Sequence, residues 1–138
     1  MSRCSSFIPT CVALGLVLGA VACGSGPTAP SAIDRHFTLA PGESAQIAEA
    51  AVGVRFEGVT NDSRCPGDAL CLLGGDALVH VTVFSGSSPI AYELHTGDMQ
   101  PVRHGDLTLS LQALEPYPFS SLPPIGPSDY RATLRVTR

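Results

Sequence analysis

Two cysteines separated by five residues, Cys65 and Cys71, stand in the stretch NDSRCPGDALCLLGGD among three aspartates, Asp62, Asp68 and Asp76. Four chemistries use such residues: a disulfide staple, a thiolate-bound metal, a redox pair and a catalytic nucleophile. A thioredoxin-like redox pair needs Cys-x-x-Cys, which this spacing is not. A zinc site needs four ligands, and no second Cys/His pair follows at ligand spacing. A nucleophile needs a free thiolate beside a base. The aspartates offer oxygen donors to calcium, but they do not follow the D-x-D-x-D-G order of a calcium loop. Elsewhere His95, Met99 and His104 carry imidazole and thioether donors that suit copper if a strand end and a loop bring them together. Read plainly they are three separate side chains. His80 and Glu93 would form an acid–base couple only beside a nucleophile, and the chain has neither G-x-S-x-G nor H-E-x-x-H. It also has no lysine, which excludes Schiff-base catalysis, Ser-Lys dyads and P-loops. The expectation is a protein without catalytic residues, metal or cofactor.

The choice among the cysteine chemistries depends on compartment, and the first residues bear on that. The chain opens MSRCSSFIPTCVALGLVLGAVACGSGPTAPS. One positive charge, Arg3, precedes an uncharged run from Phe7 to Ala22 that ends in small residues before Cys23. This is the three-part form of an export signal, and the run is short for a membrane span of about 20 residues. The stretch GAVAC resembles the lipobox of bacterial lipoproteins, with Ala20 where leucine is usual. The resemblance covers only the first 25 or so residues. It implies cleavage after residue 22 and acylation of Cys23. Gly24, where inner-membrane lipoproteins carry aspartate, implies sorting to the outer membrane. Two or three acyl chains would make attachment stable where one would not. Residues 23–35, rich in Gly, Ser and Pro, then read as a lipidated N-terminus and flexible tether.

Cysteine arithmetic follows. Cys4 and Cys11 leave with the signal, Cys23 takes the lipid, and Cys65 and Cys71 remain in an oxidising compartment. A disulfide is the expected outcome. Closing so short a loop stabilises a fold by about 2 kcal/mol.

From Cys23 onward there are seven arginines against twelve Asp and Glu, a formal charge of −5. No basic stripe is present, so nucleic acid is not an expected partner. The expected membrane partner is reached through the lipid.

Apolar residues of residues 36–138 recur with period two. Val52, Val54 and Phe56 alternate with Gly53, Arg55 and Glu57. Val79, Val81 and Val83 alternate with His80 and Thr82. The same holds for Ile90, Tyr92 and Leu94, for Leu107, Leu109 and Leu111, and for Tyr130, Ala132, Leu134 and Val136. About seven half-buried strands result, and only IAEAAVG at 47–53 is ambiguous. Strands with one apolar face need a covering layer, so the fold class is an all-β antiparallel sandwich, with a small closed barrel as the alternative. Pairing apolar with apolar across a Ser85–Ser88 hairpin loop sets Val83 opposite Ile90, Val81 opposite Tyr92 and Val79 opposite Leu94.

Two long loops remain, HTGDMQPVRHGD and the proline-rich residues 115–129, which carry Tyr117, Phe119, Leu122 and Ile125. The second is either a stiff partner-binding loop or a crossover between the sheets with its aromatics tucked over the core edge. Outward Arg131 and Arg135 would face an acidic partner or simply keep a sheet face wet. The functional expectation is a non-catalytic lipoprotein of the cell envelope that presents a stapled sandwich to a protein or glycan partner. The alternatives are a periplasmic hydrolase inhibitor acting through residues 115–129, and a copper-binding protein.

Overall fold

The computed structural model describes residues 32–86 and 88–138. The leader, Cys23 and the tether as far as Ser31 lie outside the described residues. Among the described residues no helix is long and apolar enough to cross a membrane.

Eight strands form two four-stranded antiparallel sheets. They are β1 (Asp34–Leu39), β2 (Ser44–Ile47), β3 (Val52–Thr60), β4 (Leu78–Ser85), β5 (Ser88–His95), β6 (Val102–His104), β7 (Leu107–Glu115) and β8 (Arg131–Thr137). One sheet has the order β1-β8-β7-β6 and the other β2-β3-β4-β5. The fold is a β-sandwich, not a closed barrel. The ambiguous segment 47–53 becomes a 3-10 turn, Ala48–Ala50, that leads into β3. β1 starts at Asp34, and Ile33 is buried, so residues 33–35, expected in the tether, belong to the domain.

Alternation explains the core directly. Val52, Val54 and Phe56 of β3, Val79, Val81 and Val83 of β4, and Ala132, Leu134 and Val136 of β8 are all buried. Strict alternation breaks at two places, each of them a bulge. Between Phe56 and Gly58 the pairing with β4 shifts, and Gly58 takes φ +149. Between Leu111 and Ala113 the pairing with β8 shifts, and Leu114 becomes the next buried residue. An extra residue resets which side chains face inward.

The β4–β5 register is as expected, with Val83 opposite Ile90, Val81 opposite Tyr92 and Val79 opposite Leu94. Ladder pairing reaches Ser85 and Ser88, so the connection is shorter than the expected four-residue loop. Burial of that row is incomplete. Leu94 is buried, but Ile90 is 45% exposed. β5 is an edge strand, and β6 at the corresponding edge of the other sheet is only three residues long, too short to cover Ile90. β6 itself lies in a segment expected to be loop. Its His104 pairs with Leu107 across a tight turn in which Gly105 has φ +62.

The proline-rich segment does not cross between the sheets. It joins β7 to β8, neighbours in one sheet whose ends pair Glu115 with Arg131. The chain changes sheets elsewhere, between β1 and β2 and between β5 and β6.

A candidate binding end built on the disulfide loop

Cys65 and Cys71 are joined, with Cα atoms 6.0 Å apart, which is ordinary disulfide reach. The bridge closes the head of a narrow hairpin-like projection between β3 and β4. Its neck is a short ladder. Ser63 N–H donates to the Asp76 carbonyl at 2.7 Å, and Cys65 N–H to the Gly74 carbonyl at 2.8 Å. The Ser63 hydroxyl also donates to the Asp76 carbonyl at 3.0 Å. The two sides of the neck touch at Gly75, where a β-carbon would sit 1.8 Å from the Ser63 carbonyl oxygen and φ is +69. Only glycine fits that position.

The head rests on the proline-rich segment. Gly67 N–H donates to the Pro118 carbonyl at 2.9 Å. The Asp68 carboxylate accepts from the Ser120 and Ser121 N–H groups at 2.6 and 2.9 Å. The Ser120 amide first, then the Ser121 side chain and amide, hold its pKa down at about 2. The Phe119 ring lies close enough to Gly67 that a β-carbon there would meet it at 2.8 Å.

Arg64 fastens both to the sandwich. It is the one buried charged residue among those described, with a side chain 5% exposed. Its Nε and Nη2 donate to the two Asp62 oxygens at 2.9 and 2.7 Å. Nη1 donates to the Leu114 carbonyl at 2.8 Å and Nη2 also to the Pro116 carbonyl at 3.0 Å. The Tyr117 ring stacks over the guanidinium at 5.5 Å. Tyr130 O–H donates to Asp62 at 3.0 Å. Burial pushes the Asp62 carboxyl up, but the hydrogen bonds from Arg64 and Tyr130 outweigh it and leave the pKa below its ordinary value. Burial, then Asp62, raises the Tyr130 phenol. A buried guanidinium must have its donors satisfied, and here it ties the segment after β3, the end of β7 and the proline-rich segment at one point.

This scaffold presents apolar side chains to water. Leu70 and Leu72 are fully exposed, at 105% and 104%, and Leu73 is 83% exposed. In the adjoining loops Met99, Tyr117, Phe119 and Leu122 are 40–61% exposed. A cleft of about 320 Å³ runs between the neck and the proline-rich segment, lined by Arg64, Gly74, Met99, Leu114, Glu115 and Tyr117. A larger cleft, about 460 Å³, lies where β3 and β4 meet the Pro41 and Pro127 turns. Its polar lining is Glu57, Thr60, His80 and Ser128, with Thr60 Oγ1 and His80 Nε2 hydrogen-bonded at 2.7 Å. The leucine head is therefore the candidate site.

The remaining candidates separate. The three aspartates do not converge: Asp62 serves Arg64, Asp68 serves Ser120 and Ser121, and Asp76 accepts from His95 Nδ1 at 2.6 Å and from the Gly97 and Ala77 amides. Burial pushes the Asp76 pKa up, but His95, Gly97 and Thr96 bring it down to about 2; Asp76 in turn raises that of His95. His104 is engaged by Ser85 Oγ at 2.7 Å and Tyr92 Oη at 3.0 Å, near the turn of the β4–β5 hairpin. His95 lies at the other end of that hairpin, opposite Leu78. His95, Met99 and His104 are thus not brought to a common point, and no group of three His, Cys, Asp or Glu among the described residues is placed to hold a metal. His80 and Glu93 face each other across the ladder as expected, although the His80 ring bonds to Thr60. Arg131 donates to the Ser128 and Tyr130 carbonyls, and Arg135 pairs with Asp34 at 2.8 Å.

Tyr117 and Phe119 lean on Arg64 and the disulfide head and not on the core edge, while Ile125 packs against the core. Sequence reasoning missed Leu70, Leu72 and Leu73. Their signal was available: ALCLLGG places four large or medium apolar residues in a loop with no alternation. Arg64 gave no signal, because its acceptors lie about fifty residues away along the chain.

No protein-family model, no curated protein and no solved structure matches the chain.

Proposed function

We propose that this is a non-catalytic, lipid-anchored protein of the cell envelope whose disulfide head is a binding element for a partner protein. One observation carries the reading: Leu70 and Leu72 stand fully in water, and Leu73 mostly so, on a loop that a disulfide, a glycine-locked neck and a buried arginine hold in place. Holding one leucine out of contact forgoes about 1.5–3 kcal/mol of burial. A fold that fixes three of them outward keeps that free energy for association. Rigidity lowers the ordering cost of binding. In this reading Cys23 carries the acyl chains and residues 24–32 are the tether.

A second reading, inhibition of a hydrolase by the 115–129 loop, is supported by the Asp68 carboxylate. It pins two successive amides of that loop and gives it the stiffness an inhibitor needs.

The test uses the full chain in its own cells. Palmitate labelling should be lost in Cys23→Ser. A stoichiometric protein recovered from solubilised envelope should be lost when Leu70, Leu72 and Leu73 are all changed to Ser, while the purified variant keeps its unfolding midpoint. Recovery unchanged by the triple substitution would overturn the reading in favour of the 115–129 loop.

A further inference from the structure

Resting on that reading, we infer that the leucine head faces away from the anchoring membrane and fits an apolar cleft rimmed by Lys and Arg on a protein, not a lipid surface and not a second copy of this chain.

Two independent observations carry this. The first is where the described chain begins. Arg138 N–H donates to the Ile33 carbonyl at 3.0 Å, and Asp34 pairs with Thr137, so the chain enters at the C-terminal end of β8. The head is fastened at the other end of that strand, where Tyr130 bonds Asp62 and Glu115 pairs with Arg131. Seven residues of β8 separate the two ends by about 20 Å. Cys23 precedes Ile33 by ten residues, at most about 35 Å of extended chain. A lipid at Cys23 therefore attaches through the entry end of the sandwich, about 20 Å nearer the anchor along β8 than the head is. To bring the leucines to the same surface, the tether would have to spend about 20 of its roughly 35 Å running back along the sheet.

The second observation is charge. Asp68 lies within the disulfide loop and Asp76 at the foot of its neck, Glu115 lines the cleft beside it, and Asp98 adjoins Met99. The cations at this end are Arg64, buried against Asp62, Arg131, opposite Glu115, and His95, bonded to Asp76, which leaves Asp68 and Asp98 without a cationic partner among the described residues. The leucines thus emerge from an acidic surround. Anionic lipid headgroups repel such a rim, and so would the same rim on a second copy, whereas a basic rim attracts it.

The experiment places a photo-crosslinking benzoylphenylalanine at position 72 of the full-length protein in its own cells. It is repeated with Leu70→Ser/Leu73→Ser and with Asp98→Lys/Glu115→Lys. A protein adduct that both pairs of substitutions reduce about tenfold, the second with weaker salt dependence, supports the inference. Purified protein lacking the acyl chains should not float with 3:1 phosphatidylethanolamine–phosphatidylglycerol vesicles. Leucine-dependent flotation, or an adduct at twice the mass of the chain, would overturn the inference. A protein adduct that the leucine pair abolishes and the lysine pair leaves unchanged would overturn the basic rim and leave the proposed function standing. No adduct at all would overturn both.

Discussion

Arg64→Met keeps the length of the side chain and removes the guanidinium donors that tie the disulfide loop to Asp62, Leu114 and Pro116. The wild-type guanidinium makes two bonds to Asp62 and one each to the Leu114 and Pro116 carbonyls, at 2.7–3.0 Å, from a side chain 5% exposed. Breaking a buried pair by removing one partner costs about 3–5 kcal/mol, because the other charge stays behind uncompensated. Asp62 is 14% exposed and keeps two donors, Tyr130 O–H and the backbone N–H of residue 64, and the cleft beside Arg64 lets water reach the two carbonyls, so about 3 kcal/mol is expected. With a urea m-value of about 1.5 kcal/mol/M the midpoint should fall by about 2 M. Asp62→Asn/Arg64→Met leaves no orphaned charge and should recover at least about 1 kcal/mol relative to additivity. Equilibrium urea unfolding of the four proteins measures the cycle. A loss under about 1 kcal/mol for Arg64→Met, or additivity within about 0.5 kcal/mol, would refute the view that one buried arginine fastens the loops.

Gly75→Ala should destabilise the fold by about 3 kcal/mol or more, since its β-carbon meets backbone at 1.8 Å and its φ is positive; a neutral result in thermal unfolding would mean the neck is not closed. Stability should fall on both sides of neutrality. On the acid side, the Asp68 and Asp76 carboxyls, both at about 2 against an ordinary 3.8, stabilise the fold above about pH 4, and the contribution is lost as pH descends toward 2. On the alkaline side, Asp76 raises the His95 pKa, so that contribution is complete below 6.5 and is lost as pH rises through the folded value. Asp76→Asn should flatten the alkaline limb and part of the acid limb in midpoint-against-pH curves. An unchanged alkaline limb would exclude the His95–Asp76 pair as its source.

Much of the sandwich was legible because each strand has one apolar face, and that face dictates both layer and register. Val79, Val81 and Val83 could pair with Leu94, Tyr92 and Ile90 in only one way that kept them inward. Alternation failed where the backbone adds a residue, at Gly58 and between Leu111 and Ala113, since a bulge carries no hydropathy signal. It also overstated the burial of Ile90, because burial depends on what the opposite sheet supplies, and β6 ends after three residues. The cysteine pairing followed from counting. The binding end did not: Arg64 acts through carbonyls that only folding brings near, and the leucines were overlooked because apolar residues in a loop are expected to cover something. Here they cover nothing.

The central claim is that the head is as rigid as the strands while its leucines stay in water. NMR on the isotope-labelled soluble domain tests it in one sample. Backbone order parameters at Cys65, Gly67, Ser120 and Ser121 should match those of β4, at about 0.85, and the Leu70, Leu72 and Leu73 methyls should show full relaxation by a soluble paramagnet. Order parameters below about 0.6, or leucine methyls shielded like that of Leu94, would contradict it.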